Sequence, residues 1–204
     1  DERGRIYPHP GRRLAPDMFF VPQVYRRHGE TLLLPPGKYK VHFGRGPEYV
    51  VQERAIVVPK GKRHRETFKL KRWIHAAGEG WYSGDHHIHA AGCAHYRSPT
   101  EGVSPADIIR QVAGEDLSVG CVLSWGPGWY FQKRFFQGKV DEHSTDSTII
   151  RYDVEVSGFP SSPCGHQILL GLKEDDSPGP TRHDQWPRWN LPILQWAKGQ
   201  GAVT

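Results

Sequence analysis

Glycine takes 23 and proline 17 of the 204 positions, about a fifth of the chain. Glycine is costly to order inside a helix or strand, and proline removes a backbone donor, so a chain punctuated this often cannot sustain a bundle of long helices. Short strands, many turns and few helices are expected. The hydrophobic share of 37% still allows a real core, and no apolar run approaches the ~20 residues that span a bilayer. An integral membrane protein and a wholly disordered chain are both excluded. The length fits two small domains of roughly 100 residues each.

Charge is divided unevenly. Residues 1–80 carry 17 Lys and Arg against 8 Asp and Glu, whereas residues 81–204 carry 10 against 14. The basic clusters are Arg12-Arg13, Arg26-Arg27, Lys60 to Arg65 and Lys71-Arg72. They read either as a surface for nucleic acid or anionic glycan, or as a solvated basic face. Because they are spread over several turns with no nucleic-acid motif beside them, nucleic acid is not the expected partner. Cys93, Cys121 and Cys164 form neither a disulfide framework nor a CxxC pair. The chain opens at Asp1 without a basic leader and apolar core, and Ala202-Val203-Thr204 reads as the start of a buried strand. A processed chain that continues past Thr204 is the expectation.

From Thr31 to Trp73 the pattern is strand-like. Leu32 to Leu34, a Pro35-Pro36-Gly37 turn, and then Tyr39, Val41 and Phe43 alternating with Lys40 and His42 predict a hairpin. Further short strands at Tyr49 to Val51, Ile56 to Val58 and Phe68 to Leu70 predict a small antiparallel β-sandwich over 1–78. Past residues 76–82 the pattern changes. Ser104-Pro105-Ala106-Asp107 combines a capping hydroxyl, proline at the first helical position and an acid three residues after the cap, so a helix starts there. Buried strands are predicted at Val119 to Leu123, Tyr152 to Val156 and Ile168 to Leu172, with a last helix over 192–198. Helices interleaved with apolar strands make 79–204 an α/β layer or barrel.

The densest set of ligand-type side chains is Gly84-Asp85-His86-His87-Ile88-His89. On a strand, His87 and His89 face one side and can reach a single ion, with Asp85 on that side as a further ligand or as the carboxylate that orients a ring. Histidines in a solvent-facing loop are the alternative. In Asp153-Val154-Glu155-Val156, Glu155 projects away from the valines, either as a ligand or as one half of a salt bridge. His166 precedes a strand and reads alone as a structural histidine. The aromatic stretch from Trp125 to Phe136 reads equally as a sugar or aryl subsite and as a local mini-core.

Taken together, Trp81-Tyr82-Ser83-Gly84-Asp85-His86-His87-Ile88-His89, then Asp153-Val154-Glu155, then Gly165-His166 ahead of an apolar strand, resemble the polymerase and histidinol phosphatase (PHP) superfamily, in particular its CehA/McbA-like metallohydrolase branch. The resemblance covers about 81–204. It implies a partial PHP-like (β/α) barrel, preceded by the β-sandwich often found before such hydrolases, and a cluster of two or more Zn, Mn or Fe ions held by His87, His89, Glu155 and His166. Two positions depart from the family pattern. Thr100-Glu101-Gly102 stands for the acidic segment after the HxH pair, with His95 competing as a ligand, and Ser124-Trp125-Gly126-Pro127 stands where a strand-end histidine is usual.

The resulting expectation is a metal-dependent hydrolase acting on a phosphoester, ester or carbamate of a small molecule or glycan. Metal-activated water would attack, with Asp85 or His95 positioning it or protonating the leaving group. An extracellular or periplasmic location is implied. The alternative from another class is a secreted carbohydrate-binding or structural module with a degenerate PHP-like domain.

Overall fold

The computed structural model describes residues 1–91, 103–177 and 180–204. They form two compact units, Asp1–Ser83 with Ala113–Leu117, and Gly84–Val112 with Ser118–Thr204.

In the first unit, β1 (Gly37–Phe43) pairs antiparallel with β3 (Gln52–Val58), in register from Gly37↔Val58 to Phe43↔Gln52. A second ladder joins β2 (Tyr49–Val50) to β4 (Lys71–Arg72). The expected sandwich is thus two separate two-stranded sheets. Leu32 to Leu34 is not a strand, and the hairpin predicted there does not form. Pro35 and Pro36 follow it without N–H groups to continue a ladder, and Tyr39 instead ties this segment by donating from its hydroxyl to the Pro35 carbonyl at 2.6 Å. The expected strand at Phe68 to Leu70 is replaced by side-chain bonds. Gln52 Nε2 donates to the Lys69 carbonyl at 2.9 Å and Arg54 Nη1 to the Thr67 carbonyl at 3.0 Å, while the Arg54 guanidinium lies 4.4 Å from the Phe68 ring centroid.

Ahead of β1 the chain is organised by one buried cation. Arg13 is 7% exposed, and its guanidinium donates to the carbonyls of Pro8, Met18, Val21, Pro22 and Gln23. Burying a charge is expensive unless dipoles replace its hydration, and here main-chain carbonyls do so. Burial lowers the Arg13 pKa, against an opposing pull from Asp17.

In the second unit, β5 (Gly84–Ile88), β6 (Val119–Ser124), β7 (Ile149–Val156) and β8 (Gln167–Leu169) form a curled sheet in the order β5-β6-β7-β8. The first three are parallel and β8 runs antiparallel to β7. Between β5 and β6 in sequence comes α1 (Pro105–Gly114). Its start is fixed by Asp107, whose carboxylate accepts the Ser104 hydroxyl at 2.8 Å and the Ser104 N–H at 3.3 Å. Pro105, Ile108, Ile109 and Val112 make its buried stripe. Gly120 on β6 allows the close approach, since a Cβ there would stand 2.8 Å from Val112 Cγ2.

The face that carries Gly120 also carries Val154 and Val156, and there α2 (Trp129–Gln132) and α3 (Asn190–Gly199) contribute Trp129, Ile193 and Ala197 to a core with these valines, Phe159, Leu169, Leu172 and Trp186. Beyond α3, Val203 pairs with Leu170 in an antiparallel bridge. Asp153 alternates away from the valines and is fully buried. It accepts the N–H groups of Gly171 and Leu172, both at 3.0 Å, and so holds the turn after β8. Burial pushes its carboxyl up, against the opposing effect of these bonds and of Arg151. The architecture is mixed α/β with small antiparallel sheets. No helix among the described residues is long and apolar enough to cross a membrane.

Candidate metal centre

Three parallel strands end on the same sheet edge, which is where open α/β sheets place their functional side chains. β5 brings His87 and, one residue beyond its end, His89, while β7 brings Glu155. The β5 strand is bulged. Asp85 pairs with Gly120 and Ile88 with Val122, so three steps on β5 match two on β6. The period-two alternation that would put Asp85 beside the two rings is interrupted here. Asp85 Oδ1 accepts the His87 backbone N–H at 2.9 Å, so this carboxylate engages the bulge backbone.

His87 Nε2 and His89 Nε2 are 3.1 Å apart, and they lie 3.1 and 2.6 Å from Glu155 Oε2. Three donor atoms, two nitrogens and one oxygen, thus close a small triangle. Ligands bound at ~2.0–2.1 Å around a tetrahedral ion stand ~3.3 Å from one another, so two edges already match that spacing to about 0.2 Å. The donor set fits a divalent ion of the Zn, Mn or Fe class, which takes imidazole and carboxylate together.

Glu155 is 3% exposed, whereas the two histidine side chains are 42% and 25% exposed. Burial alone would raise the Glu155 pKa. The hydrogen bond and charge of His89, then those of His87, outweigh burial and leave the carboxyl below its usual value. The group is a buried anion facing two half-open imidazoles.

His166 sits on the other side of the same carboxylate. Its Nδ1 is 3.5 Å from Glu155 Oε1 and its Nε2 is 3.4 Å from Ser157 Oγ, with the side chain 60% exposed. It borders the triangle without closing it. His95 and Glu101 lie outside the described residues.

From the sequence, Trp125, the residue immediately after β6, belongs to an aromatic stretch that reads as a subsite or a mini-core, and not to a contact with a histidine. Its ring stacks on His89, with centroids 4.5 Å apart and planes 24° from parallel, and its indole N–H donates to the Ala91 carbonyl at 2.6 Å. The available signal was positional: a side chain directly after a buried parallel strand stands at the edge where ligands gather. Set against family models, curated proteins and solved structures, the chain matches none, so what is known of this site is its own geometry.

Proposed function

We propose that the chain is a metal-dependent hydrolase of PHP-like type, its second unit part of such a barrel, acting on a phosphoester, ester or carbamate of a small molecule or glycan outside the cytoplasm. The observation that carries the reading is the His87, His89, Glu155 triangle at the edge of the parallel strands. The resemblance in the order of the three motifs supplies the reaction class.

A divalent ion there supplies Lewis acidity and lowers the pKa of a bound water toward ~7. His87 and His89 are the groups that would hold it, their Nε2 atoms facing each other and Glu155, and a ring that ligates an ion is neutral. Glu155 contributes the anionic oxygen Oε2, already ionised because the two imidazoles hold its pKa down. Glu155 Oε1 and His166 are the groups that would hold a second ion or pass a proton to solvent, since His166 is the more exposed. Asp85 fixes the backbone at the bulge and thereby the direction in which His87 leaves the strand.

The test is the metal content of the chain purified without chelator, beside a His87→Ala/His89→Ala double variant. At least one equivalent of Zn, Mn or Fe is expected in the unaltered chain and none in the variant, together with hydrolysis of aryl phosphates or esters that a chelator abolishes. Glu155→Gln, which replaces a ligand and not merely a residue that orients one, is expected to weaken metal binding by about 100-fold or more. An unaltered chain that takes up none of the three metals overturns the reading.

A further inference from the structure

β6 lies between β5 and β7, so the residue that follows it stands beside the ligands from both neighbours. Ser124, the last residue of β6, pairs with Val154, which puts position 125 level with Glu155. A histidine or carboxylate here would be a natural further ligand. The residue is tryptophan, whose indole has a donor and no lone pair to offer an ion, and that donor is engaged by the Ala91 carbonyl at 2.6 Å.

The backbone at this point has little freedom. Trp125 is extended, with φ −138° and ψ 163°. The next residue, Gly126, donates its N–H to the Ser157 carbonyl at 2.8 Å, and a Cβ on Gly126 would stand 2.7 Å from the Gly158 oxygen. The segment after β6 is thereby pressed against the segment after β7. The place of the indole follows from this contact and from its bond to Ala91, and its face covers the ring of His89.

We propose that Trp125 is the positioning residue of the centre: it fixes the plane of the His89 imidazole by stacking, and it closes the β6 side so that the ion is held from β5 and β7. A metal-bound imidazole is electron-poor and the indole face is electron-rich, so the stack is stronger in the loaded state than in the free one. The indole therefore contributes to affinity without touching the ion. This inference rests on the metal-binding reading above.

The experiment titrates Co(II) into the unaltered chain, Trp125→Phe and Trp125→Leu, following the visible ligand-field bands and the dissociation constant, with the thermal melt of each metal-free protein alongside. Trp125→Leu, which loses both stack and hydrogen bond, is expected to bind Co(II) about 10- to 100-fold more weakly with altered bands, the range for removing a residue that orients a ligand. Trp125→Phe keeps a stacking ring and loses the bond to Ala91, so its loss should fall under tenfold. The metal-free melts should stay close to that of the unaltered chain. Equal affinity and unchanged bands in Trp125→Leu would overturn the inference while leaving the centre intact. Variants whose weaker binding is matched by a collapsed metal-free melt would overturn it too, by showing a purely structural role. No Co(II) uptake by the unaltered chain would overturn both this inference and the reading beneath it.

Discussion

Among the described residues of the first unit, Met18 and Tyr39 are the buried apolar side chains, whereas the second unit buries Val122, Leu123, Trp129, Ile150, Val154, Val156, Leu169, Leu172 and Ile193 almost without exposure. Order in the first unit comes instead from charge. Arg26 pairs with Asp17, Arg72 with both Glu48 and Asp116, Arg45 with Asp116, and Arg54 with Glu66. Arg13 gathers the N-terminal carbonyls. One fold thus shows two ways of giving a Gly- and Pro-rich chain a defined shape. Apolar burial is non-directional and collective, while guanidinium bonds are directional and local. The His87, His89, Glu155 cluster sits in the unit held by the first of these, where the sheet can keep its donor atoms in place.

The largest effect that tests this contrast is expected at Trp129, fully buried and edge-on to Phe159 at 5.3 Å and to Trp186 at 5.6 Å. Trp129→Ala should destabilise the second unit by about 3 to 5 kcal/mol, read as a lowered urea midpoint. A midpoint that does not move would break the comparison. Next comes Arg13→Met, which keeps an apolar stem and removes the donors. Loss of charge-assisted bonds to carbonyls that can partly rehydrate is expected to cost about 2 kcal/mol, and hydrogen exchange should show faster amide exchange in residues 8–23 and little change in the second unit. Uniformly faster exchange across both units would mean that the cation supports the whole chain.

The smallest effect is alkaline. Burial pushes the Cys121 thiol up to about 11, with Asp153 and Asp85 adding to the rise and Arg151 opposing it. Between its ordinary value of 9.0 and 11 the folded state keeps a proton that the unfolded state has released. Stability is therefore full below pH 9 and falls as pH rises across that window, by about 1 kcal/mol once solvent screening is discounted. Cys121→Ala should flatten this part of the curve for the second unit. A slope that persists in the variant would assign the alkaline loss to another group.

What could be read from the sequence was what local chemistry encodes. The capping residues Ser104 and Asp107 announce α1 within four positions, and the run Val119 to Leu123 announces a buried strand by composition alone. The HxH spacing placed two imidazoles together because strand geometry repeats every two residues. The same rule does not fix Asp85, since a bulge between Asp85 and Ile88 adds a residue that no period in the sequence records, and its carboxylate accepts the His87 N–H. Leu32 to Leu34 has strand composition, yet strand formation needs a partner ladder, and β1 finds its partner at β3. The remaining relations are long-range. Arg13 needs five carbonyls from a loop, Asp153 needs a turn eighteen residues on, and Trp125 needs Ala91 and His89 from the segment that follows β5.

Gly126 carries no donor atom to the centre, yet its missing side chain lets the segments after β6 and β7 touch. Those segments place Trp125 on one side and follow Glu155 on the other. The centre therefore has a mutational target outside its own chemistry. If the proposed ion binds there, substitutions at position 126 would recur beside those at His87, His89 and Glu155 among randomly altered chains selected for lost metal uptake, and a search restricted to ligating residue types would overlook them.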